Sequence, residues 1–107
     1  MNELNDLIHQ PVRLRIMAAL DTLDSETELD FTYLRDLLNL TDGNLGAHLR
    51  KLEEAGYVVL RKTFIARKPR TYIRITTKGR QSFASHVQAL ETILQGASID
   101  QDQAAEQ

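Results

Sequence analysis

Between residues 43 and 80 the chain carries ten cations, Arg50, Lys51, Arg61, Lys62, Arg67, Lys68, Arg70, Arg74, Lys78 and Arg80, against two acids, Glu53 and Glu54, a local charge of +8. The remainder carries −10, so the net charge of −2 conceals the block. Concentrated cations of this kind attract phosphate, while the acidic remainder limits non-specific adhesion. By charge alone a solvated polar face reads the same way, so the elements that carry the cations must decide. Other chemistries lack the residues they need. The 107 residues contain no cysteine, which removes disulfides, thiolate metal sites and cysteine nucleophiles. His9, His48 and His86 are too scattered for a metal site within one element, and only across a dimer interface could His9 and His86 meet. Ser25, Ser82, Ser85 and Ser98 lack a nucleophile-elbow context, and no Gly-rich loop is poised for phosphate. The chain therefore reads as a binding protein without a cofactor and not as an enzyme.

The hydrophobic period supplies the positioning elements. Val12, Ile16, Leu20 and Leu23 recur at helical spacing and predict a helix from Pro11 to Leu23, after a shorter helical lead-in holding Leu4, Leu7 and Ile8. A polar loop over 24–28 leads to a short strand at Leu29–Phe31, and Thr32 is expected to cap a helix from Tyr33 to Asn39. Leu40 is the joint. Thr41 then caps a helix from Asp42 to Ala55, which Gly56 stops. On that helix Leu45, Leu49 and Leu52 share one face, leaving Asn44, Ala47, His48 and Lys51 directed away from the core. The period then shortens to that of strands, over Tyr57–Thr63 and Thr71–Thr76. Their connection, residues 64–70, is expected to be a protruding loop, because it is too long for a two-residue turn and Pro69 cannot donate to a ladder. Thr77 is expected to cap a last helix, Lys78 to Leu94.

The predicted order is that of a winged helix-turn-helix: mainly α, with a small β-hairpin wing. The stretch LTDGNLGAHLRKLEEAGYV, Leu40 to Val58, and the stretch RKTFIARKPRTYIRITTKGRQSF, Arg61 to Phe83, resemble the winged-helix transcriptional regulators of the MarR and ArsR superfamily, in particular its short single-domain members. With the opening PVRLRIMAAL the resemblance spans roughly Leu4 to Leu94. It implies binding of double-stranded DNA by a symmetric dimer. The contacts it implies are Asn44, Ala47, His48, Arg50 and Lys51 on the recognition helix, at about 42–55, and Arg67, Lys68 and Arg70 on the wing, at about 61–74. The chain departs from the longer relatives in lacking their extra helices, and from metal-sensing relatives in lacking their cysteines, so no effector is legible.

Each residue has a plainer reading alongside. Asn44 and His48 could be ordinary exposed helix residues, and Arg50 and Lys51 could pair with glutamates of their own helix, for about 0.3 to 0.5 kcal/mol. The wing cations could simply keep a hairpin soluble. The stripe Phe83, Val87, Leu90 and Leu94 could pack on the first helix or, with Leu4, Leu7 and Ile8, on a second chain at a two-fold axis. Residues 1–94 are expected to form one domain with terminal helices for dimerisation, and 95–107 a disordered acidic tail. Glu3 and Asp6 stand where a signal peptide needs positive charge, and no apolar run reaches a membrane span, so a cytoplasmic location away from membranes is expected. The competing function is a winged helix turned protein-interaction module without sequence-specific DNA binding.

Overall fold

Side chains that cap orphan backbone groups set where each helix begins and ends. The computed structural model describes residues 3–96. In chain order these form α1 (Pro11–Asp21), β1 (Leu29–Asp30), α2 (Phe31–Leu37), α3 (Asp42–Glu54), β2 (Val58–Ile65), β3 (Lys68–Ile75) and α4 (Thr77–Gly96), a winged helix-turn-helix. Pro11 occupies the first turn of α1, and Gln10 accepts from the Arg13 amide at 2.8 Å. The cap of α2 is Asp30, which accepts from the Tyr33 amide at 3.0 Å, and not Thr32 as the sequence suggested. That helix consequently starts and ends two residues early. The Thr41 hydroxyl caps α3 as expected, accepting from the Asn44 amide at 3.1 Å. At α4 the cap is Thr76 instead of Thr77: its hydroxyl accepts from the Gly79 amide at 2.9 Å.

Two helix ends close with paired 6→1 and 5→2 bonds. At α2, Leu40 N–H donates to Arg35 C=O and Asn39 N–H to Asp36 C=O, with Asn39 at φ 55°. At α3, Tyr57 donates to Leu52 and Gly56 to Glu53, with Gly56 at φ 81°. Both positions need a left-handed residue, which glycine supplies freely and asparagine tolerates. The α2–α3 turn is thereby fixed by backbone bonds, and the angle at which α3 is presented follows from it.

The three strands are antiparallel in the order β1-β3-β2. Val58 to Ile65 pair without interruption with Ile75 to Lys68. The hairpin is therefore longer than expected, and its connection is the two-residue turn Ala66–Arg67, not a seven-residue loop. Both turn residues have positive φ, 51° and 66°, as a tight hairpin turn of the I′ kind demands, although neither is the usual Asn or Gly. Pro69 is compatible because Ile65 and Lys68 flank the turn as the hydrogen-bonded pair. The next pair, Phe64 with Pro69, is then non-hydrogen-bonded, and the missing N–H points away from β2. On its other side β3 pairs with β1 only at Tyr72 and Ile73, so no bond is lost there.

One apolar cluster joins the elements: Ile8, Ile16, Met17, Leu20, Leu34, Leu45, Leu49, Leu52 and Ile73 are completely buried. The three leucines of α3 thus face the core as their spacing predicted. Along α4 the buried stripe is Gly79, Phe83, His86 and Ala89, packed beside α1. Ile8 and Phe83, expected at a dimer surface, belong to the core of their own chain. Val87 and Leu90 are half-buried, whereas the last turns of α4 leave Ile93 and Leu94 exposed. Of the expected tail, only Gln95 and Gly96 are described, as the end of α4; residues 97–107 lie outside the described residues.

Candidate nucleic-acid interface

The amino-terminal half of α3 is presented to solvent. Asp42, Gly43 and Asn44 are exposed, and a methyl group added at Gly43 would touch nothing within 4 Å. The Asn44 side chain has no hydrogen bond among the described residues, so its donor and acceptor are both available. Asp42 would repel phosphate, but Arg35 of α2 holds its carboxylate at 2.7 Å and is itself held more firmly protonated by that bond and by Asp36. The pair ties the two helices of the motif together and neutralises the acid at the helix start. Ala47 is half-buried, and Arg50 and Lys51 are exposed.

His48 does not point freely outward. It is half-buried, with Nδ1 3.0 Å from Nη1 of Arg13. Because a guanidinium only donates, Nδ1 accepts and the ring proton is assigned to Nε2. Burial, then the nearby Arg13 and Lys51 charges, hold the His48 pKa below its ordinary value. Arg13 is a buried cation that also donates through Nε to the Leu7 carbonyl. It thus links the N-terminal lead-in to α3, a connection between residues 35 apart in sequence that no spacing pattern reveals.

Cations of the basic block, on the wing and the helices beside it, fall into two groups. Arg61 makes a bidentate pair with Glu28, at 2.9 and 2.8 Å, and lies 4.7 Å from the centre of the Tyr72 ring. That hydrogen-bonded guanidinium lowers the Glu28 pKa despite some desolvation. Arg70 lies 3.6 Å from Asp30, and Arg80 donates to the Asp21 and Leu23 carbonyls. These three are engaged within the chain. By contrast Lys51, Lys62, Arg67 and Lys68 have no ion pair or hydrogen bond among the described residues, and all four are exposed. Arg67 sits in the hairpin turn with Lys68 next to it, at the far end of the wing.

Other groups that spacing did not single out fix the chain's N-terminal segment. Asn5 donates its backbone N–H to His86 Nδ1 at 2.9 Å and its side-chain amide to the Tyr57 hydroxyl at 2.8 Å, and accepts from the Ile8 amide. His86 is fully buried, its ring 5.2 Å from that of His9 of the same chain, so the two histidines meet without a dimer interface, contrary to expectation, and its Nε2 has no hydrogen-bond partner among the described residues. Burial, with His9 nearby, lowers the His86 pKa. Among the described residues no helix is long and apolar enough to cross a membrane.

A family model described as a winged helix DNA-binding domain matches residues 12–94. An uncharacterized protein of Methanocaldococcus jannaschii is 43% identical over 81 residues, 76% of this chain and 85% of that protein. Among solved structures, a transcriptional regulator homologue from Pyrococcus horikoshii OT3 superimposes with a TM-score of 0.78 and 33% identity, covering 89% of this chain and 91% of that one. The transcriptional repressor BigR from Xylella fastidiosa gives a TM-score of 0.58 at 25% identity over 89% and 83% of the two chains.

Proposed function

The chain belongs to the winged helix DNA-binding domain family, and we propose from that premise that it is a homodimeric, sequence-specific transcriptional repressor without enzymatic activity. One observation carries the reading: the exposed, unpartnered side chains of Asn44, Lys51, Arg67 and Lys68 lie on the two elements a winged helix presents to DNA, while Asp42 at the start of α3 is neutralised by Arg35. A major groove about 12 Å wide admits one helix, which here is α3. Asn44 reads adenine bidentately, Ala47 contacts a thymine methyl group, and His48, with Nδ1 engaged, offers Nε2–H to a phosphate. Arg50 and Lys51 contact the backbone, as do Arg67 and Lys68, and Arg70 joins them when it exchanges Asp30 for phosphate. Such an exchange is feasible because an exposed ion pair is worth only about 0.2 to 1 kcal/mol.

In this reading residues 1–94 form a single binding and dimerisation unit. The two-fold contact uses Leu4, Leu7, Val87, Leu90 and Leu94, together with Ile93, which is exposed beside Leu94. Repression follows from occupancy of the promoter by the dimer. The test is selection of bound duplexes from a random pool by the purified protein at low and moderate salt. The expected outcome is a roughly palindromic site with half-sites about 34–36 Å apart, or a multiple of it. Recovery of no duplex even at low salt would reject this function in favour of a protein-interaction module.

A further inference from the structure

The end of the wing carries apolar surface for which phosphate binding has no use. Phe64 is 72% exposed and Ile65 46% exposed. The pairing register places Val58, Leu60, Lys62 and Phe64 along one face of the hairpin, opposite Ile75, Ile73, Thr71 and Pro69. Near the body of the protein this row is core, with Val58, Ile73 and Ile75 buried. Phe64 and Pro69 continue it past the core into solvent, one pair short of the turn. An exposed aromatic on a hairpin end invites edge-to-edge association, which proteins ordinarily suppress with polar residues. Here the apolar pair has Lys62 on its own face and Arg67 and Lys68 in and beside the turn one pair further on, three exposed cations without ion pairs among the described residues.

We propose that Phe64 is an apolar wedge that enters the minor groove beside the recognition site and partly unstacks one base step, bending the duplex. The proposal rests on the DNA-binding reading above. The unpaired cations beside it argue for nucleic acid as the occupant, because phosphates line both sides of a groove and would neutralise Lys62, Arg67 and Lys68 as the Phe64 side chain enters. A stable protein interface needs about 800 Å² from each partner, far more than the end of a two-stranded hairpin offers. The dimensions point the same way. Two strands about 4.8 Å apart, with their side chains, are wider than a minor groove of about 6 Å, so the hairpin enters only if the groove opens. Insertion of a single side chain opens it, and the kink that follows is toward the major groove, where α3 lies. Pro69, about 4.5 Å from Phe64 between α-carbons as a non-hydrogen-bonded pair, stiffens the strand behind the ring. Arg67 and Lys68 hold the flanking phosphates and offset the lost stacking.

A wedge also selects sequence without touching base edges, since pyrimidine–purine steps such as TA unstack most readily. Phe64 therefore sets a preference for a flexible step at the position under the wing. The experiment uses the full chain, a duplex taken from the selection with 2-aminopurine next to the step under the wing, and the same duplex with fluorophores on its ends. Wild type should raise the 2-aminopurine signal and bend the duplex by about 20 to 90°. Phe64→Ala should abolish both, bind about tenfold more weakly, and lose the preference for a TA step, while its salt dependence stays that of wild type. Phe64→Leu, which retains a wedge, should restore part of the bend. Because Phe64 lies outside the core, thermal unfolding of both variants should match wild type. Tight binding by wild type without bending or unstacking would overturn the wedge alone. Equal bending by Phe64→Ala would do the same and assign the apolar end of the wing to a protein partner. Absence of any duplex binding at low salt would remove the DNA-binding reading and the wedge with it.

Discussion

Replacing Gly79 by alanine sets helix propensity against space, and the structure determines which prevails. In an open helix the change would stabilise by up to about 1 kcal/mol. At Gly79, however, an added Cβ would stand 2.2 Å from the Tyr57 carbonyl oxygen and 3.0 Å from both the Tyr57 carbonyl carbon and Ile75 Cγ1. A carbon approaches a carbonyl oxygen no nearer than about 3.3 Å even in the favourable weak hydrogen bonds of sheets, so α4 would have to retreat by about 1 Å. The oxygen cannot yield instead. It accepts from the Thr76 amide at 3.0 Å and from the Thr76 hydroxyl at 3.1 Å, and the same hydroxyl caps Gly79 and reaches the Gly56 carbonyl at 2.7 Å. Overpacking of this kind costs about 1–3 kcal/mol. Disturbing hydrogen bonds worth about 1 kcal/mol each adds to that, leaving a net loss of about 2–4 kcal/mol after the propensity gain. Urea denaturation followed by circular dichroism should show a lower midpoint at an unchanged slope, and melting should fall by roughly 10–25 °C. Gly43→Ala, where nothing lies within 4 Å, is the paired control and should not destabilise. A Gly79→Ala protein as stable as wild type would refute the packing account of how α4 joins the wing.

Other outcomes follow from the same geometry. Asn44→Ala should cost about 1 to 3 kcal/mol at the selected site and leave binding to scrambled duplex nearly unchanged, as titrations against both would show. Leu90→Glu combined with Leu94→Glu should convert the dimer to monomer by light scattering at tens of micromolar, and a retained dimer would place the interface elsewhere. His48 and His86 have pKa values lowered mainly by burial, so below about pH 6.5 the unfolded chain binds protons that the folded chain refuses. Stability should therefore be complete above that pH and decline on acidification, by at most about 1.4 kcal/mol per pH unit for each histidine. Urea midpoints near pH 7.5 and near pH 5.5 measure this, and a protein more stable at the lower pH would contradict the sign.

What was legible in the sequence was local. Thr41 and Gly56 bracket α3 because caps act within four residues, and the leucine spacing on that helix faced the core as periodicity requires. Thr32 and Thr77 failed as caps because a competent oxygen stood nearby, on Asp30 and on Thr76, and sequence alone does not say which side chain the backbone will meet. The tight turn was hidden because Ala66 and Arg67 adopt positive φ without the residues that announce it. Partners distant in sequence were invisible for a different reason. Arg61 with Glu28, Arg13 with His48, and Asn5 with His86 are 33, 35 and 81 residues apart, and tertiary folding alone brings them together. These contacts change the candidate site most, since they remove Arg61 from the free cations and turn His48 toward α1.

The proposed clamp of α3 and the wing holds duplex DNA through cations the chain itself leaves unpaired. Its most direct measurement is the salt dependence of affinity for wild type and for Arg67→Ala with Lys68→Ala, titrated against the selected duplex and a scrambled one. Each phosphate contact removed should lower the slope of log affinity against log salt by about 0.9, so the double variant, which removes two contacts from each subunit of the dimer, should lose about 3.6 on both duplexes while keeping its preference for the selected site. An unchanged slope in the variant would contradict the clamp.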